Sequence, residues 1–179
     1  AEPRELRTLG TAPAALAAAY LFEELVADPV WLATVAKLSD ADAKRIAEHA
    51  RFRRLFVARR LAASVLHALD TSADEAASFQ PLAARASGIA WTAEESRRWA
   101  LETDPLLVDL DHLRAHVLAS QLARELRVTA GPAWWTASAA GQRLAALWND
   151  GSGATFDSLA RALGTDGPDP AALAADVER

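Results

Sequence analysis

No stretch of the chain alternates apolar and polar residues long enough to suggest a half-buried strand. Apolar positions recur instead in segments opened by helix start signals. Thr11 followed by Pro13 opens a helix that runs to about Ala27. It is apolar from Pro13 to Val26 except for Glu23 and Glu24, and so reads as a core helix. Asp28-Pro29, an N-cap with proline in the first turn, predicts a short helix through Trp31 and Leu32. Ser39, with Asp42 placed like the distal member of a capping box, predicts a long helix reaching about Leu69.

Ser72 with Glu75, and Thr92 with Glu95, repeat the capping-box spacing and open two further helices. Pro81 is expected to break or bend the first of these and Gly88 to end it; the second runs through Trp99. Asp104-Pro105 starts another long helix, to about Val128. Thr129 to Ala133 is a break, followed by Trp134-Trp135 and a helix to Trp148. Asn149 to Gly153 reads as a loop, a short helix from about Phe156 stops at Gly164, and Asp169-Pro170 starts the last one.

The expected fold is therefore all-α. It is a layered array of about nine helices around two long central ones of about 24–30 residues, well beyond the usual average of about 11–12. The spacings are too irregular for helical repeats. At 179 residues the chain is read as one helical domain spanning residues 1–179.

Composition narrows the functional classes. The net charge of −5 argues against a general phosphate-binding surface. The arginine-rich stretch from Arg51 to Arg60 scatters its cations around the helix at 100° per residue instead of forming a stripe, so no nucleic-acid partner is expected. Without cysteine there is neither a disulfide nor a thiolate metal site. No apolar run approaches the roughly 18 residues that span a membrane, and no membrane partner is expected.

The last third of the chain carries a recognisable order of motifs. His112-Leu-Arg-Ala-His116 and Gln121-Leu-Ala-Arg-Glu125 are followed by Trp134-Trp135, Ala140-Gly141 and Leu147-Trp148. Leu159 to Gly164 and Asp169 to Leu173 complete the series. Near the start stand Leu9-Gly10, then Ala19-Tyr-Leu-Phe-Glu23-Glu-Leu and Asp28-Pro-Val-Trp31. In this order the chain resembles the C-terminal helical half of zinc peptidases of the thimet oligopeptidase and oligoendopeptidase F type, and the resemblance spans nearly the whole chain.

The resemblance implies a metal site that these residues do not supply. Such peptidases hold zinc through the two histidines of His-Glu-x-x-His, use its glutamate as general base, and add a glutamate from a following helix. By the family's spacing the first motif would lie just before Ala1, and the third ligand falls at Leu16, which has no donor atom. The tyrosine that steadies the oxyanion in the family corresponds to His112, and the aromatic that closes its motif to His116. No zinc or other cofactor is therefore expected.

Three sets of residues carry the remaining chemistry. Asp109, His112 and His116 stand at i, i+3 and i+7 of one helix and are candidate ligands for a divalent metal such as zinc, against a reading in which they line a polar groove or cap neighbouring helices. Glu23 and Glu24 are candidate substitute ligands, against a reading as one charged edge of a helix. Trp134 and Trp135 flank a turn and are expected to wedge between helices, with stacking on a ligand as the alternative. His49 and His67 have no carboxylates at ligand spacing and read as structural or surface residues.

The resemblance without ligands implies a non-catalytic, peptidase-like helical domain, either a pseudopeptidase or a C-terminal fragment, that binds a peptide or protein partner. One alternative is the C-terminal part of an active zinc oligopeptidase whose His-Glu-x-x-His half lies on another chain, with Glu23 or Glu24 replacing the lost ligand. The other is an unrelated helical ligand-binding or regulatory module with a closed apolar pocket. A half-domain would expose apolar surface, to be covered by an N-terminal half-domain or by a second copy in a homo-oligomer. The resemblance favours a cytoplasmic setting.

Overall fold

The computed structural model describes residues 13–69, 75–100, 108–149 and 153–177. Among the described residues all regular structure is helical, with no strand. In order the α-helices are α1 (Pro13–Glu23), α2 (Pro29–Thr34), α3 (Asp40–Leu69), α4 (Glu75–Ser87), α5 (Ala93–Ala100), α6 (Val108–Ala130), α7 (Ser138–Trp148), α8 (Phe156–Ala162) and α9 (Pro170–Val177). Single 3-10 turns, Glu24–Ala27 and Trp134–Thr136, follow α1 and precede α7. The two long helices are α3, with 30 residues, and α6, with 23. No helix among the described residues is long and apolar enough to cross a membrane.

Local chemistry explains several of the helix ends. The Asp28 carboxylate accepts the backbone N–H groups of Val30 (2.8 Å) and Trp31 (3.1 Å), which the first turn of α2 leaves without helical partners. At α3, Ser39 accepts the N–H of Asp42 (3.2 Å) and donates its hydroxyl back to the carboxylate (2.8 Å). The Ser39 hydroxyl, and then the Arg45 guanidinium, hold the Asp42 carboxyl below its usual range. Thr155 and Ser158 form a reciprocal box at α8, their N–H groups donating to each other's hydroxyls at 2.8 and 3.0 Å. At the far end of α8, Gly164 adopts φ +83 and lets the N–H of Thr165 reach back to the carbonyl of Ala160 (3.1 Å), closing the helix.

Two expectations are corrected. Helix α4 is not broken at Pro81 but runs through it to Ser87, so that Gly88 ends it as expected. The proline ring holds φ near the helical value, so the local cost is one backbone hydrogen bond and not the whole helix. The first helix stops at Glu23, and the chain tightens into a 3-10 turn before Asp28. The starts placed at Thr11, Ser72 and Asp104-Pro105, the Leu9-Gly10 pair, and residues 150–152 of the loop after Asn149 lie outside the described residues.

The chain divides into two compact units. One contains the described residues up to Arg51 and from Arg114 on; the other contains those from Phe52 to Leu113. In the first unit α6 is the central element, with every residue from Ala115 to Ala123 buried. On it pack two apolar clusters. Leu21, Leu122, Leu126, Trp134 and Leu144 belong to one, and Ala17, Leu118, Phe156 and Leu159 to the other. Tyr20, Trp148 and Leu163 touch both clusters. A smaller cluster joins Leu32 of α2 to Ala43 and Ala47 of α3.

In the second unit α4 packs against α5, and Phe79 is fully enclosed with its ring edge-on to that of His67 (centroids 5.0 Å apart). Trp91 donates its indole N–H to the Ser87 hydroxyl (2.8 Å), fixing the turn between these helices. At the start of α5, the backbone N–H and hydroxyl of Thr92 both donate to the Glu95 carboxylate at 2.8 Å, and the N–H of Glu95 donates to the Thr92 hydroxyl at 3.2 Å. The Thr92 N–H, and then its hydroxyl, lower the Glu95 carboxyl below its ordinary 4.5.

A group whose folded value is depressed contributes stability that is fully present above its unfolded value and is lost as the pH falls through the folded one. Thermal melts should therefore show Glu95→Gln less stable than the parent near neutral pH, the gap closing as the pH falls below the ordinary carboxyl value of 4.5. A gap that persists at the acid end would mean that the carboxylate charge contributes nothing to the cap.

Candidate functional site

The positions that the peptidase resemblance singles out in the first unit lie on α1 and on the middle of α6. Leu16 is half-buried and packs against the apolar cluster of Ala14, Ala17, Leu118, Phe156 and Leu159. An aliphatic side chain in aliphatic surroundings offers a cation neither a donor nor a charge. One turn further along α1, the Tyr20 ring lies on the imidazole of His116, with centroids 3.6 Å apart and planes inclined by 25°. His116 is only 4% exposed, and one face of its ring is covered by an aromatic. Its backbone carbonyl accepts the hydroxyl of Ser120 (3.2 Å), itself fully buried.

Asp109 and His112 are half-buried residues of α6 and belong to the second unit, whereas His116 belongs to the first. Among the described residues no group of three or more His, Asp or Glu side chains gathers closely enough to hold a metal ion. Of the adjacent pair near the end of α1, Glu23 is exposed and Glu24 is 5% exposed. The Glu24 carboxylate faces the Arg127 guanidinium at 3.8 Å, and the Asp176 carboxylate faces it at 3.4 Å. Glu24 is thus part of an ion cluster that joins the turn after α1 to α6 and α9. Sequence reasoning missed this cluster, because its members stand far apart in the chain and share no motif.

Trp134 is buried in the larger cluster and Trp135 is half-buried, their rings meeting edge to face with centroids 6.1 Å apart. Phe22, half exposed, lies 6.4 Å from Trp134 and 6.2 Å from Trp148. The tryptophan pair therefore wedges the entry of α7 against α6, with one aromatic left at the surface. His49 is exposed and His67 buried.

No protein-family model matches the chain, and neither a curated protein nor a solved structure does.

Proposed function

We propose that this chain is a non-catalytic, peptidase-like helical domain that binds a peptide or protein partner. The observation that carries the reading is Leu16. It stands where the resemblance requires a carboxylate, and it packs among aliphatic side chains. Building an oxygen donor there would bury a charge in apolar surroundings, which is costly unless a cation already holds it. The Tyr20–His116 stack supports the same reading, since a ring covered on its face and only 4% exposed serves packing better than it would serve a substrate carbonyl. Exposed apolar side chains at Phe22, Val26 and Val30, close together in sequence, support a partner surface.

Incubation with a quenched fluorogenic peptide library, with and without added zinc, tests the proposal. The expected result is no EDTA-sensitive cleavage, together with retention of a subset of peptides on the immobilised chain. Stoichiometric zinc accompanied by EDTA-sensitive turnover would refute it and favour the active-peptidase alternative.

A further inference from the structure

In the first unit, one face of α6 and the turn between α8 and α9 enclose an open cleft of about 280 Å³. From α6 it receives Gln121, Arg124, Glu125 and Val128, which stand at i, i+3, i+4 and i+7 and so share a face. The floor is polar and fixed. Gln121, 8% exposed, donates from Nε2 to the Thr165 hydroxyl (2.9 Å) and accepts the backbone N–H of Asp169 at Oε1 (3.0 Å). Thr165 in turn directs its hydroxyl at the carbonyls of Ala160 and Gly167, both at 3.0 Å. One wall is fixed as well: Glu125 Oε1 accepts from Arg143 Nε (2.8 Å), and the same guanidinium donates to the carbonyl of Ala162 (2.6 Å).

Against this built frame, two side chains at the mouth are uncommitted. Arg124 is exposed and pairs with no carboxylate among the described residues. Val128 is 80% exposed, more than any other large apolar residue described, and Leu163 continues its aliphatic surface into the cleft. A cation beside an aliphatic strip, over a rigid amide floor, matches a ligand that carries a carboxylate next to an aliphatic group. Glu125 and Asp169 disfavour a polyanion such as a phosphate ester, because only Glu125 is neutralised by a neighbouring guanidinium. The volume, just below the roughly 300–1,000 Å³ of drug-sized ligand sites, suits one terminal residue better than a large cofactor.

We infer that this cleft captures the C-terminal end of a peptide whose last residue is aliphatic. The terminal carboxylate pairs with the forked guanidinium of Arg124, and the last side chain lies on Val128 and Leu163. The peptide's backbone N–H is directed at Asp169, one carboxylate oxygen of which already accepts the N–H of Ala171 (3.0 Å). Neither Leu16 nor the Tyr20–His116 stack takes part, so the cleft and the peptidase-like reading fail separately.

The test is an amide-resolved NMR titration of the full chain with N-acetyl-alanyl-leucine and with the same peptide bearing a C-terminal amide. The free acid should shift signals along Gln121 to Val128 and around Leu163, and bind at least about tenfold more tightly than the amide, the scale of one charge-assisted pair. Arg124→Gln should erase the difference between acid and amide. Arg161→Gln, which removes an exposed cation outside the cleft, should leave it intact. Equal affinity of acid and amide, an unchanged preference in Arg124→Gln, or no shift in the cleft at millimolar peptide would overturn the assignment.

Discussion

Replacing Trp134 by alanine should destabilise the first unit by about 3–5 kcal/mol, the range for removing a large buried aromatic and leaving a cavity. Trp134 is 3% exposed and belongs to the cluster that joins α1, α6 and α7 through Leu21, Leu126 and Leu144. Its neighbour Trp135 is only partly buried and packs at the margin of the same cluster. Trp135→Ala should therefore cost much less, on the order of 1–2 kcal/mol. Urea unfolding followed by far-UV circular dichroism, which does not depend on the deleted chromophore, separates the two. An equal or larger loss for Trp135→Ala would mean that the pair serves the unit in the opposite order to its burial.

The second large effect is expected at Arg127. Its guanidinium faces Glu24 and Asp176, whose side chains are 4% and 7% exposed, while Arg127 itself is 27% exposed. Arg127→Met keeps most of the aliphatic stem but removes the cation from beside two buried carboxylates. That should cost about 2–3 kcal/mol, below the full range for a broken buried pair because the guanidinium reaches water and the distances are long. Adding Glu24→Gln to Arg127→Met should restore part of the loss, since one of the two buried carboxylate charges that faced the guanidinium disappears. If the single variant unfolds at the parent's urea midpoint, the cluster is not part of what holds α9 to α6.

Both predictions concern features that the sequence shows poorly, and the reason is separation along the chain. Signals that act within one helical turn are legible. Asp28, Ser39, Thr92 and Asp169 each precede a helix start by a fixed offset, and each accepts the backbone N–H that its position requires. Helix ends at Gly88 and Gly164 are legible for the same reason, because both take the positive φ that glycine tolerates. Pro81 misleads, because its local rule omits the packing of α4 on α5 that the helix gains by continuing.

The candidate site is legible only in part. That Leu16 cannot ligate follows from its side chain alone. That Tyr20 covers His116, that Arg143 clamps Glu125, and that Gln121 reaches Thr165 depend on residues 18 to 96 positions apart, which no periodicity connects. The division into two units is equally hidden, since α3 and α6 each pass from one unit to the other without a composition change or a loop to mark the crossing.

The proposal stands or falls on whether the described residues around Leu16 can complete a zinc cage. It is tested most directly by a crystal structure of the chain grown in zinc, with anomalous data collected at the metal's absorption edge. The expected result is no ordered ion in the space flanked by Leu16 and Tyr20, with only scattered surface peaks. A strong anomalous peak there, held by Glu23 or Glu24 in a closed coordination shell, would contradict it.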